Sequence, residues 1–238
     1  MKLRLVLFAL AAALIFALGV LARPWIGAVL SSAHLRVVAW NDRGGPIDAA
    51  HYARKTDLYA QMKEARPIIF LGDSRVEWGD WAELFGRCDI SNRGISGDTT
   101  AGVLERVRVS VPNDNALCVM QVGVNDLLHG VGPEAVVRNY QGILEFLVRE
   151  KHARVVVTPI ILVTADWADL NRAITETNRQ LASLASTAGA EWVDVNASLA
   201  PSGFLTPDCR ADEVHLNGYG YKLMRDALLP YLSSAPGP

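Results

Sequence analysis

From residue 67 onward, short apolar runs alternate with longer amphipathic stretches, and that rhythm leaves few folds open. The runs cover residues 67–71, 88–92, 117–122, 154–159 and 191–195. They are rich in Val and Ile and bounded by Gly, Asn or Asp, as strands buried on both faces are. Between them lie helical stretches. Residues 99–109 follow Asp98, a good N-cap residue. Pro133 suits a first helical position before residues 134–151. Residues 168–188 end at Gly189, a plausible C′ glycine, and residues 220–232 form the last helix. The alternation predicts an α/β fold with a five-stranded parallel sheet and helices on both faces. Ligands of such sheets bind beyond the carboxyl ends of the strands, so chemistry is expected just after each run.

The chain divides into three parts on this reading: residues 1–23, a helical lead-in over 24–66, and a domain over 67–238. Lys2 and Arg4 precede an uncharged apolar run, residues 5–22, before Arg23 and Pro24. A basic n-region before an apolar stretch marks a signal peptide. The run also approaches the roughly 20 residues that span a bilayer. A cleaved signal, a retained hydrophobic anchor helix and a buried core helix therefore compete. In the first two readings the rest of the chain is exported, to a periplasmic or extracellular face, and the second tethers it to a membrane. In the lead-in, Tyr52, Leu58, Tyr59 and Met62 recur at near-helical spacing, and Pro67 ends the pattern.

Four segments at the expected edge carry reactive residue types. Gly72-Asp73-Ser74 follows the first strand, and a serine at a strand-to-helix turn exposes its hydroxyl and its N–H together. Gly94, after the second strand, allows close backbone approach and can present an N–H. Asn125, after the third, offers a neutral amide donor suited to a developing oxyanion. Asp212 lies three residues before His215, so its carboxylate can fold back onto the imidazole Nδ1–H and leave Nε2 free for a serine proton. Each segment alone reads as a turn, a cap or a surface loop. Their joint occurrence, in that order, points to a serine hydrolase with Ser74, His215 and Asp212 as the triad.

These blocks, Phe70 to Ser74, Asn92 to Thr100, Gly123 to Asp126 and Asp212 to Gly218, resemble those of the SGNH hydrolase superfamily, the GDSL esterases and lipases. The stretch from Asn92 to Thr100 looks most like bacterial members related to platelet-activating-factor acetylhydrolase and carbohydrate acetylesterases. The resemblance implies a flavodoxin-like three-layer α/β/α sandwich. It also implies an oxyanion hole from the Ser74 N–H, the Gly94 N–H and the Asn125 side chain, with no metal or other cofactor. Small acyl esters, acetylated carbohydrate or short-chain lipid, are the expected substrates. An acyltransferase acting on envelope glycan and a non-catalytic binding domain of the same fold are the alternatives. Arg75 departs from the pattern, since the family usually has an aliphatic residue there. Gly72-Asp-Ser-Arg-Val76 also lacks the G-x-S-x-G of the α/β-hydrolase elbow.

The other polar residues read as structural. Asp73 is a turn former, and Asp98 and Thr99 are helix caps. Arg75 has Glu77, Asp80 and Glu83 within reach as partners. Trp78 and Trp81 are expected to pack. His34, His51, His129 and His152 are expected on the surface. Cys88 and Cys209 are a candidate disulfide, while Cys118 reads as core. Gly130 to Ala135 fits a loose G-x-G-x-x-A pattern without a preceding strand, which argues against a dinucleotide site. A net charge of −2 with no basic stripe argues against nucleic acid as a partner. The segments 161–168 and 200–210 are the expected specificity loops, and the sequence leaves the oligomeric state open.

Overall fold

The computed structural model describes residues 48–62 and 65–232. The apolar run 5–22, most of the lead-in and His34 lie outside the described residues. The described part of the lead-in forms one helix, α1 (Ala49–Gln61), capped by the Asp48 side chain on the His51 N–H. Among the described residues no helix is long and apolar enough to cross a membrane.

Five parallel strands follow: β1 (Ile68–Gly72), β2 (Ile90–Gly94), β3 (Leu117–Gln121), β4 (Arg154–Val157) and β5 (Glu191–Trp192). Their order in the sheet is β2-β1-β3-β4-β5. This is the flavodoxin-like order, and it reverses direction beside β1. Nine helices accompany the strands among the described residues. After α1 come α2 (Ser74–Glu77), α3 (Trp81–Phe85), α4 (Thr100–Ser110), α5 (Val124–Leu128), α6 (Pro133–Leu144), α7 (Ala168–Ala188), α8 (Asn196–Leu199) and α9 (Gly218–Leu232).

Strand side chains alternate between two cores, as the pleat dictates. Ile69, Leu71, Cys118, Met120, Val155 and Val157 face one layer, where Val103 and Val107 of α4, Tyr140 of α6 and Ile174 of α7 meet them. Ile68, Phe70, Leu117, Val119 and Val156 face the other, against Val76 of α2, Trp81 of α3 and Met224 and Leu228 of α9. Phe70 and Trp81 stack with ring centroids 4.3 Å apart. With both faces covered, the architecture is the three-layer sandwich expected from the sequence.

Several local expectations are corrected. Thr99, not Asp98, caps α4, because its hydroxyl accepts the Gly102 N–H at 3.2 Å while the Asp98 carboxylate turns inward. The helix expected over 134–151 stops at Leu144 and continues as a π-helical turn over Glu145–Glu150. Cys88 and Cys209 do not pair. Cys88 is exposed beside the amino end of β2, whereas Cys209 is buried in the loop before α9, beyond the carboxyl ends.

Candidate active site

β1 ends in a glycine because nothing larger fits. A Cβ on Gly72 would lie 1.9 Å from the Gln121 carbonyl oxygen of β3. Asp73 follows in extended geometry and accepts the Arg75 N–H at 3.0 Å, which caps α2. Ser74 is therefore the first helical residue. Its N–H belongs to the set that has no intrahelical acceptor.

The loop before α9 brings the histidine to it. Asp212 Oδ1 accepts the N–H groups of Val214 at 2.8 Å and His215 at 2.7 Å, and this closes a tight turn. The other oxygen, Oδ2, meets His215 Nδ1 at 2.8 Å. On the far side of the ring, His215 Nε2 stands 2.9 Å from Ser74 Oγ. Burial works to raise the Asp212 carboxyl, but the backbone N–H groups of His215 and Val214 outweigh it and hold the group below its usual value. An ionised Asp212 then fixes the tautomer that leaves Nε2 able to accept the Ser74 proton.

Asn125 stands in the first turn of α5, which opens after Gly123 with φ 126°. Its amide donates one bond to the Asp98 carbonyl at 2.8 Å, and its second N–H remains available. Gly94 does not leave its N–H free. Its N–H is donated to Asn92 Oδ1 at 2.9 Å, and a Cβ on it would lie 2.2 Å from the Glu77 nitrogen. This glycine is needed for the packing of β2 on α2, and its donor is already used. Three residues later, Gly97 occupies a turn closed by the Asp98 N–H on the Ile95 carbonyl at 3.1 Å. With φ 76° it takes the left-handed conformation that glycine favours. Its N–H has no acceptor among the described residues, and it lines an open cleft beside Trp78. The sequence signal was the second glycine of Gly94-Ile-Ser-Gly97. Only the strand's end tells the two apart.

Arg75 has none of the acidic partners expected for it. It is fully buried and donates Nε to the Val214 carbonyl at 2.9 Å and Nη1 to the Ile161 carbonyl at 2.7 Å. It thus ties α2, which begins at Ser74, to the residue before His215. Burial pulls its guanidinium down to about 10, against the opposing influence of Asp73. A second buried arginine, Arg106, pairs with Asp98 at 2.7 Å and donates to the Gly72 carbonyl at 2.9 Å. Burial raises Asp73 and Asp98 to about 6 and Asp126 to about 7.

His51 and Trp78 also depart from expectation. His51 Nε2 meets the Glu77 carboxylate at 3.0 Å, and Lys55 Nζ reaches the same group at 3.0 Å. Burial works to raise Glu77, yet bonds from Ser96, Lys55 and His51 hold it at about 2. Trp81 packs as expected, but Trp78 is 53% exposed, and its ring lies on His215 with centroids 4.0 Å apart and planes 25° apart. Among the described residues no group of three or more His, Cys, Asp or Glu is arranged to hold a metal ion.

Known proteins place this geometry in a family. The model of the GDSL-like lipase/acylhydrolase family matches residues 70–223. Platelet-activating factor acetylhydrolase IB subunit alpha2 of Rattus norvegicus is 26% identical over 186 residues, which are 73% of this chain and 81% of that protein. The alpha1 subunit of Bos taurus is 29% identical over 180 residues, covering 68% of this chain and 73% of its own length. In fold, the chain is similar to a GDSL-like lipase from Bacteroides thetaiotaomicron, with a TM-score of 0.66, 21% identity, and coverage of 79% of this chain and 100% of that one. The matched span runs from β1 to within α9 and holds Ser74, Asn125, Asp212 and His215, so the chain belongs to the GDSL-like lipase/acylhydrolase family.

Proposed function

We propose that the protein is a serine esterase that cleaves small acyl esters through an acyl-enzyme. The observation that carries this reading is the continuous line from Ser74 Oγ to His215 Nε2 at 2.9 Å and from His215 Nδ1 to Asp212 at 2.8 Å. As Ser74 attacks the ester carbonyl, its proton passes to His215 Nε2, and Asp212 stabilises the imidazolium. The carbonyl oxygen gains charge and is received by the Ser74 N–H, the free N–H of Asn125 and, in place of Gly94, the N–H of Gly97. His215 then gives its proton to the departing alcohol oxygen. Water attacks the acyl-serine next. Its proton goes to the same imidazole and on to Ser74 as the acid leaves.

Fluorophosphonate labelling with a p-nitrophenyl ester chain-length series tests this. Ser74→Ala should lose labelling and about 10³-fold or more in kcat. Asn125→Ala should lose about 10²–10³-fold in kcat and keep its labelling site. Unchanged ester cleavage by Ser74→Ala would refute the assignment. The chain-length series reports whether acetyl or longer acyl groups are preferred. Release of acetate to water, against transfer to an added sugar, separates hydrolase from transferase.

A further inference from the structure

We propose that the cleft beside His215, floored by Trp78 and walled by α1, is the subsite for the alcohol half of the ester and takes a hydroxyl-bearing ring such as a sugar. This deepens the esterase reading and rests on it. The cleft is open, about 610 Å³, and lined by Asp48, His51, Glu77, Trp78, Ser96 and Gly97. Asp48 and His51, which α1 supplies to the cleft, precede the family match, which begins at residue 70.

Trp78 is a fixed plate. Its indole N–H donates to Ser96 Oγ at 3.0 Å, and that hydroxyl donates to Glu77 Oε2 at 2.6 Å. Lys55 and His51, both from α1, hold the Glu77 carboxylate on the other side. A half-exposed aromatic ring held this way loses little entropy when something stacks on it. It also touches the imidazole that hands a proton to the leaving oxygen, so the group attached to that oxygen departs along Trp78. The rest of the lining is carboxylate, imidazole, hydroxyl and backbone. A sugar ring fits both features. Its C–H face meets the indole, and its hydroxyls meet the polar wall, where Asp48 retains an oxygen that is not used in capping α1.

The test holds the acyl group as acetyl and varies the alcohol. The kcat and KM of wild type, Trp78→Ala and Trp78→Phe are measured on mono-O-acetylated methyl glucoside and on ethyl acetate. Any effect of Trp78 on His215 itself lowers both substrates together. A role as the alcohol plate makes the loss on the sugar ester exceed that on ethyl acetate by about tenfold, mainly through KM, with Trp78→Phe recovering most of the ratio. Saturation-transfer NMR with free methyl glucoside reads the subsite without catalysis. Transfer is expected in wild type and not in Trp78→Ala. Equal losses on the two esters and no saturation transfer in wild type would overturn this proposal while leaving the esterase intact. If wild type cleaves no ester at all, the esterase reading fails and takes the assignment to an alcohol half with it, even if methyl glucoside still binds.

Discussion

Replacing Arg75 with Met tests how the histidine loop is held. The change removes two charge-assisted hydrogen bonds, to the Val214 carbonyl at 2.9 Å and the Ile161 carbonyl at 2.7 Å. Each is worth about 1.5–3 kcal/mol, so together they contribute about 3–6 kcal/mol. Against this stands the cost of keeping a guanidinium charged in the interior. Its fall from 12.5 to about 10 converts, at about 1.4 kcal/mol per unit, to an offset on the order of 3 kcal/mol. Methionine fills much of the same volume, so the cavity term is small. The net loss of stability should therefore be only about 0–3 kcal/mol, a shift of at most several degrees in Tm.

Activity should suffer more than stability. Val214 precedes His215, and a shift of about 1 Å in a reacting group can cost about 10²-fold. Arg75→Met should thus lose about 100-fold in kcat with KM nearly unchanged, because the ester does not touch Arg75. Arg75→Lys supplies one point charge in place of a two-pronged donor and should fall between. Calorimetry measures the first quantity, and steady-state kinetics on a short p-nitrophenyl ester measures the second. A Met variant with the expected Tm loss and kcat within threefold of wild type would show that the Arg75 bridge packs the fold without positioning His215.

The two glycines of the turn after β2 should separate cleanly. Gly94→Ala places a Cβ against the Glu77 backbone and should destabilise the protein by about 3 kcal/mol, seen as a lowered denaturant midpoint. Gly97→Ala incurs left-handed strain of about 1–2 kcal/mol, yet should lower kcat disproportionately as its N–H shifts; equal effects of the two on kcat at matched stability would refute the distinction. Tm should also fall on both sides of a mildly acidic maximum. Asp126 is raised from 3.8 to about 7, so the folded state holds a proton that the unfolded chain releases, and its contribution is lost as pH rises through that window. Glu77 is depressed from 4.5 to about 2, so its contribution is present above 4.5 and lost as pH falls toward 2. Glu77→Gln should flatten the acid limb of the Tm profile and Asp126→Asn the alkaline limb; unchanged limbs would count against these assignments.

The sheet was legible because its signals are local. Val- and Ile-rich runs between Gly, Asn and Asp located all five strands, and Gly189 in left-handed geometry ends α7 where its position implied. The placement of Ser74 and Asn125 was legible for a topological reason, since residues after parallel strands share one edge, whereas Asp212 and His215 follow no strand directly and were legible from their three-residue spacing before the last helix. What escaped was tertiary. His51 finds its carboxylate 26 residues away on Glu77, so no spacing rule on α1 could reveal it. Arg75 has three acids near it in sequence, but it is buried at the start of α2, where its side-chain hydrogen bonds go to the Val214 and Ile161 carbonyls. The difference between Gly94 and Gly97 escaped for the same reason. Gly94 and Gly97 are equally small, and only the point where β2 stops decides which N–H is spent inside the fold.

The buried charges behind the site are better explained by position than by stability. A buried ion pair such as Asp98–Arg106 can often be replaced by apolar residues at little cost, since desolvation cancels much of the attraction. Yet this pair touches three strand ends at once. Arg106 holds the Gly72 carbonyl, two residues before Ser74. Asp98 follows Gly97 directly, and its own carbonyl accepts the Asn125 amide. An apolar pair could fill the same space, but it could not bond to the Gly72 carbonyl. It would leave Ser74 on a segment free to drift relative to Gly97 and Asn125, which the main-chain carbonyl of residue 98 still links. In the proposed mechanism these residues are oxyanion donors, which act only if they are already in place when charge develops. A fixed ion pair at the junction of three loops meets that requirement, and a merely well-packed core does not.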